Sequence, residues 1–262
     1  MNYVLMRGGG DLSSGVAMRL FRAGFKIIIA ELPNPLAVRR TVSFSEAVYD
    51  GMITIEGVTA RKADTFEEAF ALAGLGVIPV IADPQLEILR TRSISVLVDA
   101  RLLKRESDTR LDAAQLVIGL GPGFICGQNC HAVVETQRGH FLGRVYWQGS
   151  ASADTGQPEG DPRRVLRAPA DGLLSSEVRI GDYIDAGGVI ASVAGEDVCA
   201  PFGGVLRGLI RPGVYVQKGV KIGDIDQRGD QTYCYSVSDK ALAVGGGVLE
   251  AVLTRLALPG GY

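Results

Sequence analysis

Four groups of residues in this chain have types and spacings that could do chemistry. The first is Gly8-Gly-Gly10-Asp11, which follows the apolar run Tyr3-Val-Leu-Met-Arg7 at once and leads into a helical pattern from Ser14 to Ala23. A glycine-rich turn between a strand and a helix can cradle a phosphate on backbone N–H groups and the helix N-terminus. A dinucleotide fingerprint wants G-x-G-x-x-G. Gly8 and Gly10 fit it, but position 13 is serine and the next glycine is Gly15. Glu31 lies about 20 residues on, where a ribose-binding acid belongs. Asp11 either caps the helix or stands beside a phosphate, which requires a cation between them.

The second group is Arg39-Arg40 with Thr41 and Ser43, a set that could hold a phosphate or carboxylate, or else a solvated helix start. The third is Gly121-Pro-Gly123, a further glycine-rich turn after an apolar run. The fourth is Cys126, Cys130, His131, Glu135, Arg138 and His140, which contains both histidines of the protein. The Cys126-x3-Cys130-His131-x8-His140 pattern offers four soft ligands that zinc could use. Its spacing is not that of a finger or ribbon, and neighbours on a strand point opposite ways, so no metal site is expected. Glu135, Arg138 and His140 could line a pocket or serve a turn. Cys126 and Cys130 are the candidates for a reactive thiolate, against the alternative of ordinary buried cysteines.

The elements around these groups follow from pattern and length. The chain has 262 residues, 47% hydrophobic and 21% charged, with a net charge of −2. That is enough for one large domain or two smaller ones with a packed core. The weak negative charge removes an electrostatic case for nucleic acid or an anionic membrane. Apolar runs of about eight residues are too short to span a bilayer. No leader is visible, and four scattered cysteines suggest reduced thiols and a cytoplasmic setting. Thirty-five glycines predict tight turns and close backbone approaches.

Residues 1–150 read as a nucleotide-binding domain. Lys26 to Glu31 is a second strand. Asp64 to Ala73 is a helix capped by Asp64 or Thr65, Val77 to Ala82 a strand, and Pro84 to Arg90 the start of another helix. Ile94 to Val98 and Leu116 to Leu120 are strands, and Ala132 to Val134 with Phe141 to Trp147 form a hairpin turning at Arg138-Gly139. Strands alternating with helices imply a Rossmann-like, doubly wound, mostly parallel sheet. Ligands bind at the carboxyl ends of such strands.

Gln148 to Pro162 is small, polar and rich in Pro and Gly, a linker. Beyond it the chain repeats itself at a shift of 32 residues. Ala168-Pro-x-x-Gly172-x-Leu174 returns as Ala200-Pro-x-x-Gly204-x-Leu206, and Arg179, Gly181, Tyr183, Gly187 and Ile190 return as Arg211, Gly213, Tyr215, Gly219 and Ile222. Nine identities in 23 aligned positions mark a true internal repeat, 168–190 and 200–222. Neither copy can bury a core alone, so the two should interlock into a small all-β unit over 163–230. This repeat resembles the barrel-sandwich hybrid of lipoyl and biotinyl carriers. Those carriers need a lysine on the hairpin between halves, and here that stretch is Ser192-Val-Ala-Gly-Glu-Asp-Val-Cys199, so a swinging arm is excluded. A C-terminal helix, 236–258, stopped by Pro259-Gly-Gly, carries a wide apolar face. Its Gly245-Gly-Gly247 must be offset by close packing on the first domain or by close ligand approach.

Taken together, Arg7-Gly-Gly-Gly-Asp-Leu-Ser-Ser-Gly-Val-Ala, the Glu31 to Tyr49 segment, Gly119-Leu-Gly-Pro-Gly-Phe and Ala132-Val-Val-Glu-Thr-Gln-Arg-Gly-His resemble an accessory-protein family associated with selenium-dependent molybdenum hydroxylases. The first half is also distantly similar to xanthine dehydrogenase accessory proteins. The resemblance implies a maturation factor that binds a molybdopterin dinucleotide and docks on a client molybdenum hydroxylase, assisting cofactor loading or modification. An NAD(P)-binding oxidoreductase and a non-catalytic binding or assembly module are the alternatives. A small nucleotide-type ligand is expected in each of the first two readings, and a homo-oligomer is compatible with all.

Overall fold

The computed structural model describes residues 3–156 and 160–256. Four buried apolar strands build the centre of the first half: β1 (Tyr3–Arg7), β2 (Lys26–Glu31), then further along the chain β6 (Val96–Asp99) and β7 (Leu116–Leu120). Both faces of these strands are covered, which is why they read as continuous Ile, Val and Leu runs. Between β2 and β6 lie the short helix α2 (Ala47–Asp50), the hairpin β3 (Met52–Ile55) and β4 (Val58–Ala63), the helix α3 (Phe66–Gly74) and β5 (Ile78–Ala82). The strands β8 (Ala132–Val134) and β9 (Val145–Tyr146) complete a nine-stranded sheet in the order β3-β4-β5-β2-β1-β6-β7-β8-β9. Its neighbours from β4 through β8 pair in parallel, and the two outer pairs are antiparallel.

The helix α1 (Asp11–Arg22) begins earlier than its apolar pattern suggests, at Asp11 with Gly10 as N-cap. Asp11 therefore does not cap it. Thr65 caps α3 by accepting from the Glu68 N–H at 3.1 Å. The expected helix at Pro84 is a single 3-10 turn, Glu87–Arg90. Asp83 accepts from the Glu87 and Ile88 N–H groups at 2.8 and 2.9 Å, and Leu86 is left-handed. The second arm of the last hairpin shrinks to Val145–Tyr146. The β3–β4 hairpin has a weak alternating pattern, with a burial of only one residue in four on β3, and the sequence reading missed it.

The second half is two four-stranded antiparallel sheets. In chain order its strands are β10 (Val165–Arg167), β11 (Gly172–Ser175), β12 (Tyr183–Ile184), β13 (Val189–Val193), β14 (Glu196–Cys199), β15 (Gly204–Leu209), β16 (Tyr215–Val216) and β17 (Lys221–Asp226). The 32-residue repeat maps β11, β12 and β13 onto β15, β16 and β17. The copies exchange their middle strands: β12 pairs with β15, and β16 pairs with β11. Tyr183↔Val205 and Ile184↔Gly204 are repeated as Tyr215↔Leu173 and Val216↔Gly172. The exchange puts Leu174, Ile190, Leu206 and Ile222 into one shared core. Neither copy has that core by itself.

The chain then returns to the first half. The helix α4 (Asp239–Leu256) lies against α1, and Val244, Val248, Ala251 and Val252 enter the same apolar core as Val16, Ile29 and Val98. Added Cβ atoms explain the glycines. One on Gly15 would sit 2.6 Å from the Ala241 Cβ, and one on Gly245 would sit 2.8 Å from Arg19 Cγ. One on Gly247 would fall on the Gly143 carbonyl oxygen. Gly15 thus serves helix packing rather than a ligand. The expected helix stop at Pro259 lies outside the described residues.

Two strips join the halves. Arg40 Nε donates to Leu209 O at 2.7 Å, Thr41 donates to Cys234 O, and Arg211 bridges Glu46 and Asp50. Glu56 accepts from the Val237 N–H at 2.9 Å. The molecule is a mixed α/β fold with one large mixed sheet, smaller antiparallel sheets and a C-terminal helix. No helix of the described residues is long and apolar enough to cross a membrane.

Candidate functional site

The chain winds outward from β1 in both directions, so β1 and β6 border a switch point where connections diverge and a cleft opens at the carboxyl ends of the strands. A cavity of about 1310 Å³ occupies this position. Its floor is the Gly8–Ser13 turn with the ends of β1, β2, β5 and β6, and its roof is β17, Phe202 and the Tyr233–Lys240 approach to α4. The second half therefore closes the site that the first half begins.

Of the residues singled out from sequence, Gly8, Gly10, Asp11, Glu31, Arg39 and Arg138 line the cavity. Gly8 needs its freedom, with φ of +96°. At Gly10 nothing lies within 4 Å of an added Cβ, so the N-terminus of α1 faces open space. Glu31 turns back on the glycine turn, accepting from the Gly9 N–H at 2.6 Å and the Leu32 N–H at 2.7 Å. Burial raises its pKa, and those two N–H groups oppose the rise. It stiffens the turn and occupies one of the donors a phosphate would otherwise use.

Arg39 overturns the reading of a solvated helix start. Its side chain is 9% exposed. Nη2 donates to the carbonyls of Tyr233 and Ser236 at 2.7 and 3.2 Å, and Nη1 lies 3.5 Å from Asp11. Its buried Nε has no partner. Burial lowers its pKa, Asp11 opposes this, and nearby Arg207 adds to it.

The residues that sequence reasoning missed come from the second half. Asp224 on β17 is almost fully buried and holds Arg164 on one oxygen and Arg207 on the other, each at 2.6 Å. Lys221 stands 4.0 Å from the same carboxylate. Arg207 also has a buried Nε without a partner. Three cations thus gather about one carboxylate. Burial pushes the Asp224 pKa up, but Lys221, Arg207 and Arg164 outweigh it and hold it below the usual range. Around the whole cavity nine arginines and lysines face seven aspartates and glutamates. The cleft is therefore net positive in a chain whose net charge is −2. Asp224 lies just past the second copy of the repeat, and nothing in the sequence around it announces its charge neighbours.

At the ends of β1 and β6 sits another charged cluster. Asp99 is fully buried and accepts from Arg101, Ser107 and Thr109. Arg7 donates to Asp108 at 2.8 Å and to Thr109 at 3.0 Å. Burial pushes the Asp108 carboxyl up, but hydrogen bonds from Arg101 and Arg7 prevail and hold it at about 2. These pairs order the 101–109 loop at the cleft rim.

The other expected site residues fall elsewhere. Arg40 is occupied by Leu209 O. An added Cβ on Gly121 would meet Thr136 Oγ1 at 2.9 Å, and one on Gly123 would meet Arg105 O at 2.6 Å. That second glycine turn is packed against protein and does not line the cleft. Glu135, Arg138 and His140 do not share a pocket. Glu135 is buried and accepts from Gln137 and Ser152 N–H groups at 2.7 and 2.8 Å, which outweigh burial and lower its pKa. His140 stacks edge-on with Phe141 at a separate shallow hollow. His131 Nδ1 accepts from the Val117 N–H at 2.9 Å, so that nitrogen is committed to the sheet.

Cys126 and Cys130 are not a reactive pair. Cys130 has no exposed surface, and burial, with Cys126 beside it, pushes its thiol up to about 12. Burial also raises Cys126, whose thiol donates to Tyr146 O at 3.3 Å. The thiolate is the nucleophile, so burial works against reactivity at both. Brief iodoacetamide treatment of the native protein is expected to label the exposed Cys199 and spare Cys130. Peptide mass spectrometry reads the result, and prompt labelling of Cys130 would contradict the burial argument.

Arg138 grips Asp239, the first residue of α4, with both Nη atoms at 2.6 Å. That bidentate bond holds the Asp239 pKa at about 2. A depressed carboxylate stabilises the fold above its ordinary 3.8 and loses that contribution as pH falls through about 2. The pair is solvent-exposed, so its share of stability is small. The carboxyl's own NMR titration is the sensitive readout. Arg138→Met is expected to return it toward 3.8, and an unchanged midpoint would refute the assignment.

No family model matches the chain. It is 49% identical over 254 residues to the uncharacterized protein YqeB of Escherichia coli K12. The match covers 95% of this chain and 47% of that protein, so the chain spans about half the length of the curated relative it matches. Among solved structures it is similar to an aspartoacylase family protein of Mesorhizobium loti at 13% identity and TM-score 0.26, covering 86% of this chain and 84% of that one. It is also similar to an ectoine utilization protein of Ruegeria pomeroyi at 12% and 0.30, covering 86% and 85%. A succinylglutamate desuccinylase/aspartoacylase of Rhodobacter sphaeroides matches at 15% and 0.28, covering 86% and 84%. These findings correct the family resemblance read from the motifs. The solved structures bear the names of aspartoacylases, a desuccinylase and an ectoine utilization protein, and the curated relative has no assigned activity. Neither a molybdenum hydroxylase accessory role nor an NAD(P)-dependent oxidoreductase is retained. At such low TM-scores no activity passes from those structures to this chain either.

Proposed function

We propose that this protein binds a small, phosphate-bearing anion of nucleotide type in the cleft between its two halves. The observation that carries the reading is that Arg39, at the open N-terminus of α1, shares one cavity with Arg207 and Lys221. Arg39 and Arg207 come from different halves, lie close enough to repel each other, and each keeps a buried Nε donor unpaired. An unmet buried donor costs about 1–3 kcal/mol, and a bound anion relieves the repulsion between the two guanidinium groups. Leu32 and Leu36 stay exposed beside the glycine turn and offer an apolar wall for the body of the ligand. The strand order that diverges at β1 supports a Rossmann-like reading of residues 1–150. The reciprocal strand exchange supports a barrel-sandwich reading of 163–230.

Calorimetric titration with pyrophosphate and with ADP tests the proposal. Binding should weaken as salt rises. Gly10→Asp puts a carboxylate into empty space at the α1 N-terminus and should abolish binding with the fold intact. Unchanged binding in that variant would sink this reading.

A further inference from the structure

Lys221 has a role that simple charge attraction does not exhaust. Its side chain is 38% exposed in the cavity wall, and its Nζ donates no hydrogen bond among the described residues. Its ion-pair carboxylate, Asp224, lies at 4.0 Å and already has an arginine on each oxygen, and the Asp11 carboxylate also acts on it. The amine therefore stands among cations, held only by a long ion pair to a carboxylate it shares with two arginines. Its neighbours make the charged form unfavourable. Burial pushes the amine below the ordinary lysine range, Asp224 and Asp11 oppose this, and Arg164 and Arg207 add to it. A lysine desolvated beside other cations is the arrangement that activates an amine as a nucleophile.

We propose that Lys221 forms a Schiff base with a small anionic aldehyde or ketone whose acidic group is held by Arg39 and Arg207. The inference rests on the anion-binding reading of the same cleft. In the reaction the neutral amine attacks the carbonyl carbon to give a carbinolamine. The carbonyl oxygen then leaves as water with both amine hydrogens, and a carbon–nitrogen double bond remains. No oxidant or reductant is consumed.

The test uses the whole chain, pyridoxal 5′-phosphate as the anionic aldehyde, borohydride to fix any imine, and peptide mapping by mass spectrometry. The protein has six lysines, and Lys62, Lys104 and Lys218 are exposed internal controls. The expected result is a single adduct at Lys221, and its loss in Lys221→Arg, which keeps the charge. Arg39→Met should lower its yield by roughly tenfold, the effect of one lost charged hydrogen bond. An uncharged aldehyde, pyridoxal, should label Lys221 no better than the controls. Titration with inorganic phosphate runs beside it. If phosphate binds and Lys221 is not trapped above the exposed lysines, the Schiff-base inference fails and the anion site stands. If phosphate does not bind and labelling is uniform, both fail.

Discussion

Replacing Arg39 by methionine is expected to weaken phosphate binding by roughly tenfold or more and to lower stability by about 2–4 kcal/mol. The two effects have one cause. The guanidinium reaches from the first half to the Tyr233 and Ser236 carbonyls of the segment that leads into α4, and it also stands at the α1 N-terminus beside Asp11. Methionine fills much of the same volume but leaves two carbonyls without their donor. Asp11 is 41% exposed, so water takes over part of its loss, and the estimate stays below that for a fully buried pair. Arg39→Lys restores charge but not the planar fork. It should recover part of the binding and little of the stability. Urea unfolding and phosphate titration on the three proteins separate the outcomes. Wild-type phosphate affinity in Arg39→Met would remove the central residue of the proposed site.

The second large effect concerns two adjacent glycines that respond in opposite directions. Helix propensity favours alanine over glycine by about 1 kcal/mol at any interior helical position. At Gly246 nothing lies within 4 Å of an added Cβ, so Gly246→Ala should gain up to about 1 kcal/mol. At Gly247 the same methyl would strike the Gly143 backbone carbonyl, with Val134 Cγ1 at 2.9 Å on the other side. Backbone cannot swing aside as a side chain can. Overpacking of this kind costs about 1–3 kcal/mol, occasionally more, which exceeds the propensity gain. Gly247→Ala should therefore lose about 2 kcal/mol and loosen α4 from the 135–144 loop. Thermal unfolding of the two single variants decides it. Equal stabilisation by both would mean that α4 does not approach Gly143 as closely as the structure has it.

These glycines also show where sequence reading ends. Gly245-Gly-Gly247 announced that something must come close, because three glycines inside a helix are otherwise unfavourable. Pattern alone left the choice between a domain and a ligand open. The answer depends on Gly15, Arg19 and Gly143, more than a hundred residues from the motif, and only their positions decide it. Cys126 and Cys130 behaved the same way. Their spacing allowed a reactive pair, and burial raises both thiols.

What the sequence determined by itself was local and periodic. The strands β1, β2 and β7 follow from apolar runs long enough to be buried on both faces, and the glycine turn after β1 follows from its composition. The internal repeat fixed the interlocked second half because identical residues at a constant shift must make equivalent pairings. What only the tertiary structure decided was the charge constellation of the cleft. Arg39 lies on one half, and Arg164, Arg207, Lys221 and Asp224 lie on the other. An arginine in isolation looks like surface. Folding brings these residues to one carboxylate and one helix N-terminus, and desolvation and mutual repulsion then set their character. Electrostatic interaction depends on distance in space and on access of water, and neither is written in sequence separation.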